Sequence, residues 1–162
     1  MALTATMYHL QVALSDVDRG VYEALDLRLA RHPSESERYL LTRLLAYCLS
    51  YEEGIAFSKG GLSSASDAPI TVTDPTGALL AWIDIGSPSA ERLHKASKLA
   101  PRVSLFTAAD LPSLRREAAS RPVHKLVDIE VWQLAPSFLD ALAERVDRNT
   151  KLEIVRNDGH LY

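Results

Sequence analysis

Asp67, Asp84, Lys95 and Glu37 are the side chains whose types and spacing point to chemistry. Two carboxylates facing each other across a pair of strands repel unless something neutralises them. Mg2+ suits that role, since it prefers oxygen ligands and takes one or two carboxylates together with water and substrate phosphate. A lysine beside such a pair steadies an attacking water or a developing negative charge.

A hairpin brings the two aspartates together. The apolar runs Ile70 to Val72 and Ala78 to Ile85 flank Asp74-Pro75-Thr76-Gly77, which has proline and glycine where a β-turn wants them. Folding about the centre of that turn sets Val72 opposite Leu79, Ile70 opposite Ala81 and Asp67 near Asp84. Gly86-Ser87-Pro88-Ser89 then breaks the second strand and starts a helix, with Ser87 as N-cap and Pro88 at the first helical position. That helix runs to about Leu99. Leu93, Ala96 and Ala100 form its apolar face, and Arg92, Lys95 and Leu99 an adjacent stripe from which Lys95 reaches back toward Asp84. Each group also has a plainer reading: Asp84 as a strand-end residue touching the next helix, Asp67 as a loop residue, Lys95 as a solvated charge.

Glu37 sits at the end of Ser34-Glu35-Ser36-Glu37, a capping-box pattern that opens an amphipathic helix to about Tyr51. Leu41, Leu44, Leu45, Cys48 and Leu49 make its buried face. Glu37 therefore either caps the Ser34 amide or serves as a third acid aimed at the sheet edge.

Around this centre the chain reads as follows. Tyr8, Leu10, Val12 and Leu14 alternate with Met7, His9, Gln11 and Ala13, and Val21 to Arg31 alternates again, so the first thirty residues form an antiparallel hairpin. Ile55 to Ser58 is a short strand followed by a loop that delivers Asp67. Beyond the central helix come a strand from Arg102 to Thr107, a helix from Ala109 to Ser120, a strand from Leu126 to Leu134, a helix from Pro136 to Val146 and a strand from Lys151 to Val155. That alternation belongs to a sheet with parallel members and helices packed on it.

With 162 residues, 47% of them hydrophobic, the chain has material for one domain with a core and is short for two. The formal net charge of -3 lacks the positive excess behind nonspecific nucleic-acid binding, which would have to come from a local patch. Arg115, Arg116, Arg121, His124 and Lys125 are such a concentration, although runs of this kind are usually solvated. The single cysteine, Cys48, lies in an apolar stripe and reads as core packing. The scattered histidines have no zinc spacing, and no G-x-S-x-G, G-x-G-x-x-G or phosphate-loop motif is present. Without a signal-like start or a long apolar run, the expected location is the cytoplasm, with no membrane contact.

Several separated segments, MALTATMYHLQVALSDVDRG, HPSESERYLLTRLLAY, GALLAWIDIGSPSAERLHKASKLA with VSLFT, and the closing VWQL and DGHLY, resemble the bacterial YaeQ family over essentially the whole chain, residues 1–162. The resemblance implies a mixed α/β fold similar to the PD-(D/E)XK (restriction-endonuclease-like) nucleases. Its mixed sheet is flanked by helices, with the N-terminal hairpin added. In that pattern acids on two neighbouring strands hold Mg2+, and a lysine two residues after the second acid activates water. Carried over, the second acid is Asp84 and the helix acid is Glu37. The lysine position falls on Gly86, which points to Lys95 as a displaced lysine. Ile70 follows Pro69 where the family has its first acid, leaving Asp67 as the substitute and Asp74 as a poorer one. Two functions follow as expectations: a Mg2+-dependent phosphodiesterase acting on DNA or RNA, or a noncatalytic module on the same scaffold that binds nucleic acid or another protein.

Overall fold

The alternation of the first thirty residues does produce paired strands. In the computed structural model, which describes residues 4–58 and 67–162, β1 (Thr6–Asp16) and β2 (Val21–Arg31) pair antiparallel from Thr6 opposite Arg31 to Asp16 opposite Val21. Tyr8, Leu10, Val12 and Leu14 of β1 and Leu25, Leu27 and Leu29 of β2 point inward and are buried. The hairpin does not stand alone. Near the end of the chain β8 (Asn149–Asn157) lies parallel to β1, and β9 (His160–Leu161) turns back on it, giving a four-stranded sheet in the order β2-β1-β8-β9.

The second sheet has the order β3-β4-β5-β6-β7, from β3 (Ile55–Phe57), β4 (Ile70–Thr73), β5 (Leu79–Ile85), β6 (Arg102–Thr107) and β7 (Glu130–Gln133). The first three pair antiparallel and the last two join in parallel. Parallel neighbours need a crossover. The helices α2 (Ala90–Leu99) and α3 (Leu111–Ala119) supply these, the second followed by a short 3-10 turn at Leu126–Asp128 where the sequence pattern suggests strand.

Between the sheets runs α1 (Glu37–Leu49), with α4 (Pro136–Ala143) against it. Nine of its thirteen residues are buried, more than a one-sided amphipathic stripe predicts, because apolar surface meets it from both sheets. Cys48 is part of that core, and burial pushes its thiol up to about 12. It is a packing residue, not a nucleophile.

The hairpin register of the second sheet differs from the expected one. Val72 pairs with Ala81 rather than Leu79, and Ile70 with Ile83 rather than Ala81, with an irregularity between Val72 and Thr73. The cause is Asp74, whose carboxylate accepts the main-chain N–H groups of Thr76 (2.8 Å) and Ala78 (3.0 Å) and so carries the turn on to Ala78. A shift of two positions keeps every side chain on its expected face.

Within the four-stranded sheet, the β1–β2 turn is tied to the β8–β9 turn by charge. Asp18, in the β1–β2 turn, accepts the main-chain N–H groups of Gly159 (2.9 Å) and Asp158 (2.7 Å) and pairs with Arg156. These bonds hold its carboxyl below the usual range. A depressed folded-state value lends stability that is full above the unfolded value of about 3.9 and disappears as pH falls through the folded value. Urea unfolding across the acid range should therefore show the wild type losing stability below about pH 4 more steeply than Asp18→Asn.

Candidate functional site

Asp84 lies near the end of β5, where the period of two turns Ala81, Ile83 and Ile85 toward α1 and Trp82 with Asp84 toward α2. It is 2% exposed. A buried carboxylate is tolerated only when its charge and lone pairs are met. Here Oδ1 accepts the Ile85 N–H (3.0 Å), while Oδ2 accepts the Trp82 indole N–H (3.3 Å) and Arg92 Nε–H (2.7 Å). The Arg92 guanidinium also lies 5.5 Å from the Trp82 ring centre and donates from Nη2 to the Asp67 carbonyl oxygen (2.8 Å).

Local sequence explains why arginine holds this place. Ser89, not Ser87, caps α2 and accepts the Arg92 N–H (3.1 Å). The helix therefore begins at Ala90, and Arg92 falls in its first turn, beside the strand end. Lys95 follows nearly a turn later and is exposed. Asp67 is exposed as well, and the bond that ties it to Asp84 runs through Arg92 to its main chain.

Gly86, at the position where the resemblance would put a lysine, has φ +86°. Any L side chain there would be strained. The backbone that ends β5 thus demands glycine, which accounts for the missing lysine.

On α1 the helix acid is not where the capping-box pattern sets it. Ser36 is the N-cap, its hydroxyl accepting the Tyr39 N–H (3.1 Å), and Glu37 is exposed at the first helical position. The Ser34 cap assignment is therefore corrected. The buried acid is Glu35, 4% exposed and 3.0 Å from Arg43 Nη2. Arg43 is itself buried, donates to the Ala30 carbonyl (2.9 Å) and lies over the Phe57 ring. The half-buried phenol of Tyr39 stands within reach of both ion pairs. Burial first, then the Asp84 charge, raises its pKa, and Arg43 and Arg92 oppose this.

The arrangement is thus two carboxylate–guanidinium pairs, Asp84–Arg92 and Glu35–Arg43, flanking one phenol. Sequence reading gave no role to Glu35, Tyr39 or Arg43, and it chose Lys95 over Arg92 on the stripe they share. Arg43 had a visible signal, since a cation set among Leu40, Leu41, Leu44 and Leu45 needs a buried partner. As a Mg2+ centre the donor set does not fit. Both Asp84 oxygens are committed to protein donors, a guanidinium stands at the shorter of those contacts, and among the described residues no three His, Cys, Asp or Glu side chains converge on a point.

The outer surface of α2 carries a different feature. Lys95 and Lys98 are exposed there, and the His124 N–H donates to His94 Nδ1 (3.0 Å). Burial and then Lys98, Lys125 and His94 lower the pKa of His124. Positive charges dominate this corner. A cleft of about 610 Å3 opens between the sheets, lined by Arg19, Arg102, Trp132 and Arg156 among others. Its arginines are engaged with Asp16, Asp18 and Glu52.

Fold and site together define a mixed α/β protein of two mixed sheets around a central helix, with a charge-balanced carboxylate–arginine centre at a strand end. The sequence profile described as YaeQ protein matches residues 1–162, and the chain belongs to the YaeQ family. It is 32% identical to the uncharacterized protein YaeQ of Escherichia coli (strain K12), over all of this chain and 90% of that protein, and 31% identical to that of Salmonella typhi with the same coverage. Among solved structures it is similar to the YaeQ protein from Pseudomonas syringae, with a TM-score of 0.87 at 31% identity over 97% of this chain and 87% of that one. The YaeQ protein from Xanthomonas axonopodis pv. citri also gives 0.87, at 28% identity over 98% and 89%. No helix among the described residues is long and apolar enough to cross a membrane.

Proposed function

We propose that the chain is a nucleic-acid-binding protein on a PD-(D/E)XK-like scaffold that holds a phosphodiester backbone without cleaving it. The observation that carries this reading is the Arg92 guanidinium, 2.7 Å from Asp84, in the place a metal ion would have to take. A guanidinium bonded to that carboxylate neutralises it and activates no water. The order helix, three strands, helix, strand from α1 to β6 supports the likeness to the nuclease scaffold. Beyond the balanced Asp84–Arg92 pair, Lys95 and Lys98 are exposed on α2 three residues apart, a ridge rising about 4.5 Å. His124 and Lys125 lie near Lys98 and extend it. Such a ridge would track successive phosphates, with affinity falling as salt rises.

A second reading keeps Asp84 and Asp67 as Mg2+ ligands, Lys95 as the group beside the water and Glu37 as support. What favours it is that Arg92 draws the Asp67 main chain to the Asp84 carboxylate. Fluorescence anisotropy with labelled single- and double-stranded oligonucleotides, followed by gel analysis with Mg2+ and Mn2+, separates the two. Binding without strand cleavage is expected, and replacing Lys95, Lys98 and Lys125 by alanine should lower the slope of log K against log salt by about 2 for single strands and about 3 for duplex. Metal-dependent cleavage lost in Asp84→Ala would establish the second reading instead. No binding at low salt would rule out nucleic acid as the partner.

A further inference from the structure

We infer that two copies of this chain pair through β2, joining their four-stranded sheets into one continuous sheet of eight. β2 is eleven residues long and stands at the edge in the order β2-β1-β8-β9, with no strand among the described residues on its outer side. An exposed edge of that length is a template for another strand.

The direction of its free groups follows from the pairing. His9 and Val17 donate their N–H groups to Arg148 and Arg156, so odd-numbered residues of β1 face β8 and even-numbered ones face β2. Through the register Thr6 opposite Arg31, the odd-numbered residues of β2 are those bonded to β1. Tyr22, Ala24, Asp26, Arg28 and Ala30 therefore direct N–H and C=O groups outward. Arg43 already donates to the Ala30 carbonyl, so this oxygen points away from β1 and the open part of the edge runs from Tyr22 to Arg28.

Charge then selects both the occupant and the register. In an antiparallel pair of β2 with itself, centring the two-fold axis on Asp26 would oppose Asp26 to its own copy, and centring it on Arg28 would oppose two arginines. Centring it on Leu27 instead sets Asp26, which also pairs with His9 of its own β1, against Arg28 of the second copy, twice, in hydrogen-bonded rungs. The same register sets Leu25 against Leu29, Leu27 against itself and Ala24 against Ala30. The strand is complementary to itself in charge, size and hydrogen-bond parity. Such exposed ion pairs add little affinity individually, and their part is to fix the register. The main-chain bonds of the Asp26 and Arg28 rungs supply the attraction, since Arg43 holds the Ala30 carbonyl at the end of the strand.

Size-exclusion chromatography with light scattering, on the full chain over a range of concentrations, tests this. The expected mass rises to twice 17.9 kDa. Arg28→Asp, which opposes two acids on each side of the axis, should weaken the dimer about tenfold or more, and the double variant Asp26→Arg, Arg28→Asp should restore it. Ala24→Pro removes an outward N–H without touching the β1 pairing and should also favour the monomer. Circular dichroism of each variant confirms that the fold persists. A wild type that stays at 17.9 kDa up to hundreds of micromolar would overturn the proposal, as would a dimer indifferent to both Arg28→Asp and Ala24→Pro.

Discussion

Asp84→Ala is expected to lower the unfolding free energy by about 3 to 5 kcal/mol, because it leaves the partly buried Arg92 guanidinium and the Trp82 indole without their acceptor. In a chain of this length that is a fall in Tm of roughly 10 °C. The sign carries the meaning. Were Asp84 one of two carboxylates held apart for a metal ion, removing it from the metal-free protein would relieve repulsion and raise Tm. Thermal melting in a chelating buffer distinguishes the two, and Asp84→Asn should lie between wild type and alanine because it keeps an acceptor for the indole.

Glu35→Ala should be comparably costly, again about 3 to 5 kcal/mol, since Arg43 would be left buried and unbalanced. Arg43 is 5% exposed and Glu35 4%, so water cannot take over for either. By contrast Glu37→Ala, at an exposed position of the same segment, should change stability by less than about 0.5 kcal/mol. Urea unfolding of the two variants side by side checks the assignment of the helix acid to Glu35. A large loss in Glu37→Ala with little in Glu35→Ala would reverse it.

The contrast between those two glutamates shows where the sequence was legible. Helix α1 was readable from its leucine spacing, and β2 was readable to the residue, because a period of two over eleven residues leaves little choice. Which serine caps α1 was not, since Ser34 and Ser36 both satisfy a local pattern, and only the burial of Glu35 against Arg43 decides between them. The β4–β5 register failed for a similar reason. The Asp74 carboxylate lengthens the turn by bonds that a four-residue template does not contain. Joining β8 to β1 depends on contacts across almost the whole chain, which no local window carries.

The same limit applies to the site. Aspartate at the end of a strand and a cation on the next helix were both in view, yet Arg92 and Lys95 lie on one stripe and sequence spacing does not choose between them. The helix start at Ala90 chooses, by setting Arg92 in the first turn. Open carboxylate oxygens can take a metal ion, whereas a guanidinium bonded to the carboxylate makes a balanced pair.

The most direct measurement of that difference is the Tm of the wild type against Mg2+ and Mn2+, with NaCl controls matched in ionic strength. An ion bound at a hundred times its dissociation constant stabilises the fold by about 2.7 kcal/mol, a shift of several degrees. A centre already neutralised by Arg92 predicts no shift beyond the salt control at tens of millimolar metal. A rise of that size in the wild type, absent in Asp84→Asn, would show that the carboxylate takes a metal ion in preference to its arginine.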